Sequence, residues 1–154
     1  MTEGTVHSIH VSDGGLPKLS RGSAWVDVDG VEGDRQRDLR FHGGPNRAVC
    51  LYSFDLMRIL QKESHPIAPG TIGENVSVAG IDWSLMVPGT HLYVGDAELE
   101  LTAYAHPCRN VTGCFIGDDF TRISQKVHPG WSRLYAKVLF PGLVQVGAPV
   151  RLAD

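Results

Sequence analysis

At 154 residues the chain is the size of one ordinary domain, able to bury roughly two-thirds of the surface its unfolded form would expose. Its 18 glycines and 9 prolines are spread along the whole length, which favours many short elements joined by turns, and 42% hydrophobic with 20% charged residues excludes a disordered chain. A formal charge of −3, with no run of Lys or Arg, argues against tracking a nucleic-acid backbone or an anionic membrane surface.

In chain order, Thr5 to Val11 is the first strand candidate, and within it His7 and His10 fall on opposite faces. Ala24 to Asp29 places Ala24, Val26 and Val28 on one side of an extended chain with Asp27 and Asp29 opposite, a half-buried strand. Ala48 to Tyr52 is an apolar run without alternation, consistent with a strand covered on both faces or with a buried helix segment. Ser53 is a plausible N-cap for a helix in which Leu56, Ile59 and Leu60 share a face until Pro66 forbids continuation. Asn75 to Ala79 and Thr90 to Val94 are further strands. Ala97 to Ala103 alternates apolar and polar residues without exception, the strongest strand pattern in the chain. Asp118 or Asp119 caps a second expected helix, with Phe120, Ile123 and Val127 on one face before Pro129-Gly130 ends it. Leu134 to Phe140 and Leu143 to Leu152 complete the series. About eight strands and two short helices predict a mainly β, closed or nearly closed barrel, because closure removes exposed sheet edges. No repeat or linker divides residues 1–154, so one domain is expected.

Three clusters hold residues suited to chemistry. The first runs from Gly30 through Asp34, Arg35 and Gln36, then through His42-Gly43-Gly44-Pro45-Asn46-Arg47. Its glycines let backbone N–H groups approach an anion, and Arg35, Arg40 and Arg47 supply planar donors for phosphate. Read blandly, these are two polar turns between strands. No Walker-type spacing supports a nucleotide triphosphate. The second cluster, Gly70-Thr71-Ile72-Gly73-Glu74-Asn75, leads into a strand, and Glu74 and Asn75 are expected to point into a pocket at the sheet's end, with a turn cap as the alternative for Asn75. The third is His106-Pro107-Cys108-Arg109-Asn110. Pro107 marks the end of the preceding strand and leaves Cys108 in a loop, where Arg109 favours the thiolate, the form that attacks electrophiles and binds soft metals. A helical turn starting at Cys108 would add its backbone N–H groups to that effect. The alternative is a small buried hydrophobe, the usual fate of a free cysteine and the expectation for Cys50 and Cys114.

Three cysteines are an odd count and form no Cys-x-x-Cys pair, which argues against a secreted disulfide framework. The polar start lacks a signal-peptide layout and no apolar stretch reaches the roughly 20 residues that span a bilayer, so the expected location is the cytoplasm. His106, Cys108 and Cys114 lack structural-zinc spacing, and no Gly-x-Ser-x-Gly elbow signals a serine hydrolase.

Taken together and in order, the stretches Gly30 to Gln36, His42 to Val49, Gly70 to Asn75 and Pro107-Cys108-Arg109, with Arg133 to Val138 and Pro141-Gly142 at the end, resemble the MOSC family, named for the C-terminal domain of molybdenum cofactor sulfurase. Asn46 stands where the family often has aspartate, and Gln36, Arg37 and Phe41 occupy a stretch often richer in histidine. The resemblance implies a barrel-like fold and a pocket for the molybdenum cofactor, a molybdopterin. It implies that Cys108 is the reactive cysteine, ligating molybdenum or carrying sulfur as a persulfide, and that Arg35, His42, Arg47, Glu74, Asn75 and Arg109 are pocket residues. Two activities follow as expectations. One is reduction of N-hydroxylated small molecules with electrons from a separate reductase. The other is a sulfur-carrier or cofactor-delivery role served by a sulfur donor protein, without turnover of its own.

Overall fold

The computed structural model describes residues 2–12, 16–34 and 44–153. Among these, eleven strands are present. They are β1 (Glu3–Val11), β2 (Leu19–Arg21), β3 (Ser23–Asp27), β4 (Gly30–Val31), β5 (Val49–Ser53), β6 (Val76–Ala79), β7 (His91–Val94), β8 (Ala97–Tyr104), β9 (Leu134–Phe140), β10 (Gly142–Gln145) and β11 (Pro149–Leu152), with one α-helix, α1 (Phe54–Lys62), after β5. The main sheet runs β11-β7-β8-β9-β5-β6-β1-β2, and a β11–β1 pairing closes seven of these strands into a barrel. β1 manages this by giving Glu3 to Thr5 to β11 and Ile9 to Val11 to β2 along one edge, with β6 on the other. A second sheet, β10-β3-β4, lies beside the barrel. The mainly β, closed-barrel architecture expected from the sequence is therefore present.

Alternation builds the core. In β8, Ala97, Leu99 and Leu101 are buried while Glu98, Glu100 and Thr102 are only partly so. β5 is buried at every position, as its uninterrupted apolar run requires. Val49, Leu51 and Tyr52 join the main core, whereas Cys50 packs in a separate small cluster with Ala105 and Tyr135. β5 and β6 are the parallel pair, and such a pair needs a crossover, which α1 supplies. The Ser53 side chain accepts from Leu56 N at 3.1 Å, and Gly80 N donates to Asp55 at 2.7 Å, which ties the helix to the end of β6.

Four details differ from the sequence reading. The buried face of α1 is Met57 and Leu60, while Ile59 is 43% exposed. The first half-buried strand stops at Asp27, whose carboxylate accepts from Val28 N at 2.7 Å, turning the chain and leaving Val28 exposed. The second expected helix is a string of 3-10 turns. Gly117 and Asp118 both adopt positive φ, Asp119 caps only the turn Phe120–Ile123, and Ile123 is buried while Val127 is exposed. One deep anchor does not make the apolar stripe a helix needs. Finally, Leu143 to Leu152 is two strands in two sheets, β10 against β3 and β11 in the barrel. Gly147 at φ 89° makes the turn between them, and its N–H donates to Val6 O at 2.8 Å. No helix of the described residues is long and apolar enough to cross a membrane.

Candidate functional site

The segment after β8 leaves the barrel at Ala105, whose N–H donates to Arg133 O at 2.9 Å. It then bends through His106 and Pro107 to Cys108, the N-cap of a 3-10 turn over Arg109–Cys114. Val111 N donates to Cys108 O at 3.1 Å, so the backbone of Cys108 is fixed, while its side chain makes no capping bond and stays partly exposed. Arg109 is exposed. Cys50 and Cys114 are both buried. Burial pushes the Cys50 thiol up to about 11 and also raises that of Cys114, so both behave as packing residues.

This segment is fastened to the glycine-rich loop before β6. Arg133, 5% exposed, forks between the two, donating from Nη1 to Ile72 O at 2.8 Å and from Nη2 to His106 O at 3.2 Å. The Cys114 thiol donates to Thr71 O at 3.5 Å, and Ile116 N to His65 Nδ1 at 3.1 Å. Arg122 binds both carboxylate oxygens of Glu63, at 3.0 and 2.9 Å, with its guanidinium 3.9 Å over the Trp131 ring. The second and third sequence clusters are thus neighbours in space.

Glu74 and Asn75 do not point into an open pocket, since each is 0% exposed. Asn75 Oδ1 accepts from Cys50 N at 2.9 Å, and its Nδ2 donates to Asp34 at 2.9 Å and to His10 O at 3.3 Å. Glu74 accepts from Gly70 N at 3.0 Å and from the Ser77 hydroxyl at 3.2 Å. Burial, opposed by those hydrogen bonds, raises its carboxyl to about 7. Below the loop, Asp34 also accepts from Lys18 Nζ at 2.6 Å and from Ser12 N at 2.9 Å. These polar side chains serve the backbone. They satisfy backbone groups at a place where β5 offers Cys50 N and β1 offers His10 O, and where the loop offers Gly70 N.

Arg47 ends a 3-10 turn over Pro45–Arg47, and its guanidinium lies 5.6 Å from the Tyr135 ring centroid. Tyr135 pairs with Cys50 across β5 and β9. Its hydroxyl is held up to about 12 by burial, and it feels the charges of Cys50, Arg133, Arg47 and Cys108. The Arg47 guanidinium thus lies against a buried phenol whose titration also feels Arg133 and Cys108. An open groove of about 470 Å³ runs from Arg47 past Thr102 to Lys137 on the outer side of β8 and β9. Arg35 and His42 lie outside the described residues.

Two residues emerge that the sequence did not single out for the site. Arg133 opens a stretch that carries part of the family resemblance, but nothing in it marks the arginine as a site residue. His10 is fully buried, with Nδ1 donating to Glu74 O at 3.1 Å and Nε2 without a hydrogen-bond partner among the described residues; burial lowers its affinity for a proton. Among the described residues no group of three or more His, Cys, Asp or Glu is placed to hold a metal ion.

Comparison with known proteins fits this geometry. The chain is 30% identical to protein YiiM of Escherichia coli over 81% of its own length and 57% of the relative's. It is 26% identical to the uncharacterized protein YflK of Bacillus subtilis over 92% of its length and 64% of that protein's. It thus spans less than two-thirds of either relative. The crystal structure of YiiM from Geobacillus stearothermophilus superposes with a TM-score of 0.76 at 21% identity, covering 98% of this chain and 75% of the other, which shows the shared fold. The MOSC domain profile matches residues 38–151, and the chain belongs to the MOSC domain family, a family associated with the molybdenum cofactor.

Proposed function

We propose that the protein binds the molybdenum cofactor and reduces N-hydroxylated small molecules, with the Cys108 thiolate as the protein's ligand to the metal. The observation that carries this reading is the contrast among the three thiols. Cys50 and Cys114 are buried, whereas Cys108 is partly exposed on a backbone fixed by its own turn and clamped to a glycine-rich loop. The donor set suits the group. Thiolate sulfur matches a soft metal, and guanidinium forks match a phosphate. Arg47 supplies one such fork beside Tyr135, and the buried Arg133 guanidinium has an Nε with no hydrogen-bond partner among the described residues.

The bound cofactor supplies the two-electron chemistry. The chain's own residues bind and orient. Cys108 presents sulfur from a fixed backbone, the Arg133 fork keeps the Cys108 and Ile72 loops in register, and Arg47, with Arg35, His42 and Arg109, serves the cofactor's polar groups. Glu74 and Asn75 act by holding the loop from beneath. Conversion of R–NHOH to R–NH2 and water consumes two electrons and two protons, so a separate reductase delivers the electrons. The test is to purify the protein from cells that make the cofactor and measure bound molybdenum and N–O reduction with a chemical electron donor. Stoichiometric metal, lost together with activity in Cys108→Ser, is expected. Metal-free protein without N–O reduction overturns the reading.

A sulfur-carrier role rests on the same exposed thiol, whose side chain makes no capping bond. In that reading Cys108 receives sulfane sulfur from a cysteine desulfurase and passes it to an acceptor. A mass increase of one sulfur at Cys108 after exposure to the desulfurase supports it.

A further inference from the structure

We propose that Arg133, and not the adjacent Arg109, supplies the positive field at the Cys108 sulfur and makes this site receptive to an anionic group. The inference rests on the reading of Cys108 as the working thiol and goes beyond it by assigning the cation. Arg133 is 5% exposed, and its two described contacts are the carbonyl oxygens of Ile72 and His106, at 2.8 and 3.2 Å. Among the described residues its Nε has no hydrogen-bond partner and no carboxylate touches the guanidinium.

A neutral amide can staple two carbonyls. A guanidinium there adds a buried charge, costly unless an anion offsets it. The charges around it do little of that. Lys18 and Asp34 are paired with each other at 2.6 Å. Glu74 feels Arg133, but burial raises its carboxyl to about 7, so it is mostly protonated below that pH and there offsets little of the charge. On the other side, His106, whose carbonyl Arg133 holds, is two residues from Cys108, and the buried Tyr135 hydroxyl feels both Arg133 and Cys108. A buried charge acts through a weaker dielectric than an exposed one and is screened less by salt. Arg109 is exposed and its field is screened.

The test compares alkylation of Cys108 by anionic iodoacetate and neutral iodoacetamide at one pH, read by mass spectrometry on the full chain. Both reagents need the thiolate, so the ratio of their rates cancels its fraction and reports the local field. The wild-type ratio should exceed that of a small thiol and survive a rise in KCl from about 0.05 to about 0.5 M. Arg133→Met should lower it about fivefold, Arg133→Lys should keep it within about twofold, and Arg109→Met should change it little. A wild-type ratio equal to that of the small thiol, its collapse in salt, or a larger loss in Arg109→Met than in Arg133→Met overturns the proposal. If Arg133→Met does not fold, the wild-type salt series with Arg133→Lys and Arg109→Met decides on the same criteria. The two readings fail separately. Retained activity in Cys108→Ser removes the role of Cys108 and leaves the ratios standing, whereas unchanged ratios with an essential Cys108 remove only the role of Arg133.

Discussion

Asn75 and Cys50 are bonded twice, once through a side chain and once through the backbone. Asn75 Oδ1 accepts from Cys50 N at 2.9 Å, and Asn75 N donates to Cys50 O at 2.7 Å. The pair fixes the start of β6 beside β5, just where the glycine-rich loop ends, so the loop facing Cys108 inherits its position from a buried amide.

Replacing that amide has a defined cost. Asn75→Ala takes the side-chain partner from Cys50 N and His10 O in a buried setting and removes one of the donors to Asp34, which keeps Lys18, and should destabilise the fold by about 2–4 kcal/mol. Asn75→Asp keeps an acceptor for Cys50 but sets a second carboxylate against Asp34, and should cost more at neutral pH than at pH 4. Denaturant melts at the two pH values check both.

Glu74 makes stability depend on pH in a direction opposite to that of a surface carboxylate. Its folded-state value is about 7 against an ordinary 4.5, so between those limits the folded chain holds a proton that the unfolded chain has released. The stabilisation is complete below about pH 4.5 and is lost as pH rises through 7, amounting to about 3 kcal/mol by linkage. Glu74→Gln should remove this slope and be the more stable protein at pH 8. Equal slopes for the two proteins in urea unfolding between pH 5 and 8 would contradict the assignment.

How much of this was legible in the sequence follows from the range of the forces involved. Strict alternation in β8 and the fully apolar β5 announced their burial, because period and composition are local. Ser53 announced α1 for the same reason. The segment after Asp119 carried a helical spacing too, but the left-handed Gly117 and Asp118 and the exposed Val127 broke it. Pro107 located the loop that exposes Cys108. Glu74 and Asn75, polar residues in a glycine-rich loop, suggest side chains that enter an open pocket at the sheet's end. They turn inward because strand ends distant in sequence need their hydrogen bonds. The role of Arg133 was not legible for a related reason, since its partners lie 61 and 27 residues away and no spacing rule connects them.

The three cysteines should differ sharply in labelling. A neutral maleimide at pH 7.5 should modify one thiol per native chain, Cys108, and all three after unfolding. Cys50 is shielded by burial, which also raises its thiol to about 11. Cys50→Ser should keep the single fast-labelling site while lowering stability by about 1–2 kcal/mol, the cost of a buried hydroxyl without a ready partner. Fast labelling at Cys50 in the native chain would count against the packing described for it.

Gly70 is the position where a side chain has no room. Its φ is 88°, and a Cβ there would lie 2.5 Å from Lys18 O and 3.3 Å from the His10 ring. Its own backbone is bonded both ways, with Lys18 N donating to its carbonyl at 2.9 Å and its N–H donating to Glu74 at 3.0 Å. Gly70→Ala therefore combines an unfavourable backbone conformation with a backbone clash, and should cost at least about 2 kcal/mol. Because the clash pushes on the loop held by Arg133, the variant should also raise the rate of amide exchange in residues 106–111 more than in β8. Gly44 has a similar φ of 78° but open space around its Cβ position, so Gly44→Ala carries the backbone strain alone and should cost only about 1 kcal/mol. A smaller loss for Gly70→Ala than for Gly44→Ala in the same melts would show that close packing of this loop against Lys18 and His10 does not hold it in place.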